Sequence, residues 1–142
     1  MIDPKARRTL AIAIRRLATG RITNRDFELE LDLLPRSDDG VQAVVDEVWY
    51  WYDDLREHRV ELTRKGRAAA ARCYLFLTST LPFEYPTPNQ LSKLAMVFLD
   101  LPTLGLVSHF WHRKRTLLRA APHLWPFRRQ ADLDAAADAF YS

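Results

Sequence analysis

Two histidines lie three residues apart in the segment His109-x-x-His112, a spacing that places both imidazoles on one face of a helix. Two imidazoles are only part of a zinc site, because zinc needs three or four ligands. No cysteine pair or nearby acid completes the set, and Asp54 and His58 complete it only if the fold brings them close. We therefore expect the two histidines to be surface or boundary residues, and we predict no metal site.

The sequence offers little for covalent catalysis. Its single cysteine, Cys73, lies in an apolar stretch, where the reactive thiolate is disfavoured. The four glycines are too scattered to form a phosphate-binding loop, and no nucleophile elbow or metal-hydrolase signature occurs. We therefore predict a protein that is not an enzyme, with no catalytic residue and no cofactor.

Charged residues are distributed unevenly along the chain. Residues 1–25 carry 7 basic and 1 acidic groups, a net charge of +6, and residues 26–61 carry 3 basic and 12 acidic groups, a net charge of −9. Residues 62–142 carry 11 basic and 5 acidic groups, again +6, so the whole chain has a charge of +3. The small total therefore conceals an acidic segment between two basic ones, and an acidic segment suits a basic partner.

The most distinctive candidate surface lies in this acidic segment. Residues 41–58 are predicted to form one long helix, whose apolar stripe runs from Val41 to Leu55. The opposite side carries acids around a tyrosine and is the predicted protein-binding surface: Asp46, Glu47, Tyr50, Asp53, Asp54 and Glu57. The alternative is a solvated face whose charge is neutralised by Arg56, Arg59 and the basic helices on either side.

Basic residues of the C-terminal half support a second candidate function, nucleic-acid binding through phosphate contacts, with Trp111 and Trp125 nearby for stacking. The residues are Arg113, Lys114, Arg115, Arg128 and Arg129. Against this function, the sequence contains no helix-turn-helix or other recognised reader motif. A third candidate is peripheral membrane attachment through the apolar stretch 91–111, although its periodic stripes and Asp100 favour a core hairpin.

Helix signals recur along the whole chain. Pro4 and Gly20 bound the first predicted helix, and Thr63 is positioned to cap another. The later helices are predicted near residues 64–80, 89–99, 103–120 and 131–140, and prolines interrupt the aromatic connectors 81–88 and 122–127. We predict an all-α fold, a single helical domain over residues 1–142 with five or six helices and proline-rich aromatic connectors.

One segment gives a conflicting signal. Residues 27–33 alternate strictly between apolar and acidic side chains, which is typical of a strand. We nevertheless predict a helix, because Glu and Leu are good helix formers and because Thr23 and Asp26 resemble a capping box just before the segment. A strand also needs a partner, and no other segment alternates convincingly.

Three motifs of the chain resemble a family of small uncharacterised bacterial proteins. They are Leu-x-x-Gly-Arg-Ile-Thr-Asn-x-x-Phe-Glu over residues 17–28, Tyr-Asp-Asp-Leu-Arg-Glu-His over 52–58 and Trp-Pro-Phe-Arg-Arg-Gln-Ala-Asp over 125–132. The resemblance spans most of the chain and implies a bacterial, single-domain protein, but the family brings no established activity. Small proteins of this kind are often accessory or toxin-neutralising factors, which is an analogy of context and not of a site.

These features lead to one expectation for function. We expect a non-enzymatic protein-binding module, of a toxin-neutralising or immunity type, that engages a basic protein partner. We expect it in the cytoplasm, because the sequence shows no signal-peptide pattern and has a single cysteine.

Overall fold

The fold is given by a computed structural model, which describes residues 1–53, 55–85 and 123–142. These ranges form five α-helices and one 3-10 turn: α1 (Pro4–Ala18), α2 (Asn24–Asp32), α3 (Asp39–Val48), the turn Trp49–Trp51, α4 (Arg64–Thr78) and α5 (Gln130–Tyr141). The same ranges contain no strand, only an isolated antiparallel bridge between Thr23 and Arg59. The all-α prediction is confirmed for this part of the chain.

Local capping signals set the bounds of the first helices. Asp3 accepts backbone N–H bonds from the first turn of α1, and Gly20 follows the end of that helix with φ +66°, a conformation that glycine adopts without strain. α2 starts at a reciprocal capping box, in which the side chains of Thr23 and Asp26 each accept the other residue's N–H. The alternating segment 27–33 is therefore helical through Asp32, as predicted.

The core lies between α1, α3 and α4, with α1 packed against α2, α3 and α4. Its fully buried apolar side chains include Leu10, Ile14 and Leu17 of α1, Val41, Val44 and Val48 of α3, and Phe76 of α4. Within each helix these positions recur every three or four residues, so they share one face. The predicted apolar stripes of α1 and α3 are thus the faces that the fold buries.

A second set of contacts joins α4 to the connectors beyond it. Phe76 packs edge-on against Phe83 and Phe127, with ring centroids 6.1 and 5.7 Å apart. Arg72 Nε donates to the carbonyl O of Trp125 at 2.9 Å, which ties the turn before α5 to the same helix. The described parts of both aromatic connectors are non-helical, as their prolines predicted.

The residues group into two compact units. The first contains Met1–Glu84 and His123–Ser142, and the second is Tyr85–Pro122. Of the second unit the structure describes Tyr85, so the helices predicted near 89–99 and 103–120 lie outside the described residues. The single domain over residues 1–142 stays a prediction.

The long helix predicted over residues 41–58 is wrong in its second half. α3 ends at Val48, the 3-10 turn ends at Trp51, and Tyr52 is already extended, with φ −141° and ψ 163°. Leu55, placed on the buried stripe by its spacing, is 86% exposed. Beyond the turn, hydrogen bonds between Asn24 and the backbone of residues 53, 56 and 58 tie the chain to the start of α2.

Candidate protein-binding surface

Asn24, the first residue of α2, is buried and anchors the loop that follows α3. Its Nδ2 donates to the carbonyl oxygens of Asp53 and Arg56, at 3.0 and 2.9 Å. Its Oδ1 accepts the His58 N–H at 2.8 Å, and its own N–H donates to the His58 carbonyl O at 3.0 Å. Two of these groups, the Asp53 carbonyl and the His58 N–H, would have been paired inside a helix that ran to residue 58, and Asn24 satisfies them instead.

The predicted surface residues therefore do not share one helix face. Asp46 and Glu47 lie near the end of α3, Tyr50 lies in the 3-10 turn, and Asp53 and Glu57 lie in the loop that Asn24 anchors. Asp54 lies outside the described residues. We use the name acidic-aromatic surface for the described members together with one aromatic neighbour: Asp46, Glu47, Trp49, Tyr50, Asp53 and Glu57.

Two neighbouring aromatic rings are partly exposed at the turn. Tyr50 is 55% exposed and Trp49 is 46% exposed. Trp49 contacts Tyr52, with centroids 6.2 Å apart, and Tyr52 meets the fully buried Phe27 edge-on at 6.3 Å. This series of ring contacts connects the turn to the core, so the exposed rings are displayed on a fixed support.

Three carboxylates of this surface accept hydrogen bonds from neutral donors. Asp46 accepts from Gln42 Nε2 at 2.6 Å, Asp53 accepts the Leu55 N–H at 2.9 Å, and Glu57 accepts from Thr23 Oγ1 at 3.1 Å.

Within the described ranges none of these three carboxylates forms an ion pair, and neither Arg56 nor Arg59 neutralises them. Their negative charge is therefore not neutralised by any basic side chain that the structure describes.

A second site, which the sequence patterns did not predict, lies in the first half of α1. Arg7 and Asp38 form a buried bidentate ion pair, with Nε–Oδ2 at 2.7 Å and Nη2–Oδ1 at 3.1 Å. Arg7 also donates to the carbonyl oxygens of Ser79 and Leu81, at 3.3 and 2.7 Å, and its guanidinium lies 4.9 Å from the centroid of the Phe76 ring. One side chain thus joins α1, the start of α3 and the end of α4.

Asp38 is also the N-cap of α3. Its carboxylate accepts the N–H groups of Gly40 and Asp3, at 2.8 and 2.9 Å. Burial raises the pKa of this carboxyl, but the hydrogen bonds from Arg7, Asp3 and Gly40 and the charge of Arg7 outweigh it, so the pKa falls from 3.8 to about 2. Asp38 is therefore ionised at neutral pH and balances a buried cation.

Two sequence signals mark this ion pair in retrospect. Arg7 precedes Leu10, Ile14 and Leu17 at the same spacing, so it is a cation on the buried stripe of α1. Asp38 stands just before the apolar run that opens α3, where an N-cap is expected. Neither signal identifies the other residue as its partner, because 31 positions separate the two.

A shallow cleft of about 130 Å³ opens beside the ion pair, lined also by Met1, Ile2, Asp39, Pro82 and Phe83. None of its lining side chains is a hydroxyl, thiol or imidazole, and the Arg7–Asp38 pair is engaged in the contacts above. The one further carboxylate of the lining is that of the exposed Asp39, and the charged pair holds the fold together.

The C-terminal basic residues are only partly within the described ranges. Arg113, Lys114 and Arg115 lie outside them, as do His109 and His112. Arg128 is exposed and pairs with Glu84, and Arg129 is exposed at the start of α5. The described ranges thus bring together two of the five predicted nucleic-acid contacts, one of them already paired with an acid.

Among the described residues, no group of three or more His, Cys, Asp or Glu side chains is placed to hold a metal ion. In the same ranges, no helix combines the length and the apolar character needed to cross a bilayer.

No family model, curated protein or solved structure matches the chain. The resemblance to small bacterial proteins therefore stays a prediction. Two of the three motifs that carry it, residues 17–28 and 52–58, meet in the structure through the hydrogen bonds between Asn24 and the 53–58 loop. Because the partners in the second motif are backbone atoms, these bonds give a structural reason for Asn24 alone.

Proposed function

We propose that this protein is a non-enzymatic binding module that engages a basic protein partner through the acidic-aromatic surface, in the manner of a toxin-neutralising or immunity factor. One observation carries the proposal: Tyr50 is 55% exposed on a surface where Asp46, Asp53 and Glu57 form no ion pair with the described part of the chain. An open charge of this kind is what a cationic partner needs.

The aromatic rings supply the short-range part of such an interface. Tyrosine and tryptophan are enriched among the residues that dominate binding energy, because each buries a large apolar area and keeps one polar group for a hydrogen bond. Tyr50 and Trp49 are both available for burial, and the contact from Trp49 through Tyr52 to Phe27 holds the turn in place. A fixed support lowers the entropy lost on binding.

The carboxylates supply the long-range part. Asp46, Asp53 and Glu57 lie on either side of the turn in sequence, where they attract lysines or arginines of the partner and raise the association rate. Salt screens this electrostatic attraction, so the association rate should fall as ionic strength rises.

The test is affinity capture from the producing cells, followed by titration of the purified partner. Truncation of the anchor in Tyr50→Ala should weaken binding about thirtyfold, the equivalent of about 2 kcal/mol. The charge reversal Asp53→Lys/Glu57→Lys should lower mainly the association rate. If the partner is toxic, co-expression of the wild-type chain should restore growth and co-expression of Tyr50→Ala should not.

A matched control is available in α5. Asp134 and Asp138 are also exposed acids four residues apart, so Asp134→Lys/Asp138→Lys makes the same charge change away from the proposed surface. This control should bind as the wild type does. Equal affinity for the wild type, Tyr50→Ala and Asp53→Lys/Glu57→Lys would show that the partner does not use this surface.

A further inference from the structure

α1 and α4 pack antiparallel, which brings the end of α1 and the start of α4 to the same end of the first unit. Arg7, in the first half of α1, donates to carbonyl oxygens that directly follow α4. At the opposite end Thr23 pairs with Arg59 in the antiparallel bridge, and Thr63 caps α4 four residues later. The α1–α2 turn, residues 56–63 and the first turn of α4 therefore lie together.

This end of the unit is rich in exposed cations. Six exposed basic side chains form what we call the basic end: Arg15, Arg21, Arg56, Arg59, Arg64 and Lys65. None of the six makes an ion pair or a side-chain hydrogen bond with the residues that the structure describes. Arg16 and Arg25 of the same region differ, because each pairs with a glutamate of α2.

The acids of this region do not cancel the charge. Asp26 and Glu57 are both hydrogen-bonded to Thr23, and Glu61 is exposed. Asp53 lies here too, since its carbonyl accepts from Asn24, so four described carboxylates beside six cations leave an excess of two positive charges on these residues. The basic end thus differs in composition from the acidic-aromatic surface, although Asp53 and Glu57 belong to both regions.

The start of α4 carries charge of the wrong sign for helix stability. Its first turn contains Arg64, Lys65 and Arg67 and no acidic residue. The start of a helix is the positive end of its dipole, where acidic side chains stabilise and basic ones do not. Local stability therefore does not account for these cations, a pattern expected where binding decides the choice of residue.

We propose that the basic end binds the phosphate backbone of nucleic acid. Five of the six cations are arginines, whose planar guanidinium pairs bidentately with phosphate oxygens. A membrane surface fits less well, because interfacial anchoring needs a buried apolar face and the one large exposed apolar side chain in residues 55–65 is Leu55. Phosphate contacts of this type bind without sequence preference.

The experiment measures fluorescence anisotropy of a labelled 20-base-pair DNA, a 20-nucleotide RNA and a 20-nucleotide DNA strand with the full chain at low salt. The variant Arg64→Glu/Lys65→Glu should weaken binding about tenfold or more at 50 mM salt. It should also make the slope of log binding constant against log salt concentration less steep by about two. Its Tm should be equal to or above that of the wild type, because the new acids favour the helix start. A variant that merely disturbs the fold would lower Tm.

The matched control is Lys5→Glu/Arg8→Glu. Both residues are exposed cations in the first half of α1, at the other end of the unit, and the charge change is the same. The control should bind as the wild type does. The proposal is overturned by absence of binding to all three probes at low salt, by unchanged binding of Arg64→Glu/Lys65→Glu, or by equal loss in the control. Flotation with anionic vesicles, without binding to the three probes, would show that the basic end binds a membrane. That result would also overturn the proposal.

Discussion

Replacement of Asp38 by asparagine should cost more stability than any surface change in this protein. The new amide would keep the size of the side chain and remain a good N-cap, but it would leave the Arg7 guanidinium buried and without a counter-charge. Removal of one partner from a buried ion pair costs about 3–5 kcal/mol. A domain of this size is stable by about 5–15 kcal/mol, so the loss is a large part of the total.

The pH dependence of stability gives a second magnitude for the same pair. Folding lowers the pKa of Asp38 from 3.8 to about 2, which corresponds to about 2 kcal/mol at 1.36 kcal/mol per unit. Because the folded pKa lies below the unfolded one, this stabilisation is complete above about pH 4 and is lost as the pH falls from 4 towards 2. Because Asp38→Asn has no carboxyl at this position, its free energy of unfolding should not include this loss between pH 4 and pH 2.

The assay is urea unfolding followed by circular dichroism at several pH values, with the slope of free energy against urea checked for constancy. The exposed pair Arg16–Glu30 supplies the control, since Glu30→Gln should cost less than about 1 kcal/mol. The double variant Arg7→Met/Asp38→Asn removes the stranded cation and should be more stable than Asp38→Asn alone. If Asp38→Asn lies within about 1 kcal/mol of the wild type, or has the same acid profile, the ion pair does not hold the unit together as described.

Three other changes test the packing of the unit, each by urea unfolding. Gly40→Ala should destabilise it by about 1–3 kcal/mol, because a Cβ there would lie 2.8 Å from Arg7 Nη2 and 2.9 Å from Phe76 Cε1. Gly66→Ala, whose Cβ would have no neighbour nearer than 3.3 Å, is its control and should stay within about 1 kcal/mol of the wild type. Asn24→Ala should cost about 1–3 kcal/mol and speed amide hydrogen exchange in residues 53–58, and unchanged exchange would contradict the anchoring role. Thr63→Ala should cost about 1 kcal/mol through loss of the α4 cap, and no loss would mean that the cap bond to Gly66 is dispensable.

The bounds of α1, α2 and α4 were predictable because the signals that set them lie within a few residues of each end. The alternation in α2 shows why a strand pattern also fits a helix. Phe27 and Leu31 are four apart and buried, whereas Leu29 and Leu33 are 60% and 85% exposed. Apolar residues therefore occupy both sides of this helix, and the capping box decides the structure.

The end of α3 was not predictable from spacing alone. The apolar stripe continues past Val48 with the helical period, whereas the chain beyond the turn is bonded to Asn24, 29–34 positions away in sequence. The same limit applies to the candidate surface. Residue types alone indicated acids around Tyr50. Whether those acids lie in a helix or in a loop depends on tertiary hydrogen bonds that local patterns do not encode.

The division of the first unit into two stretches of chain has a consequence for biosynthesis. Phe76 packs against Phe127, and Arg72 binds the Trp125 carbonyl, so α4 is completed by residues that the ribosome adds only after the whole 85–122 segment. At about 5–20 residues per second, the ribosome adds these covering residues on the order of 2–9 s after it has completed α4. During that interval Phe76 and Arg72 lack the Phe127 ring and the Trp125 carbonyl that they contact in the folded protein.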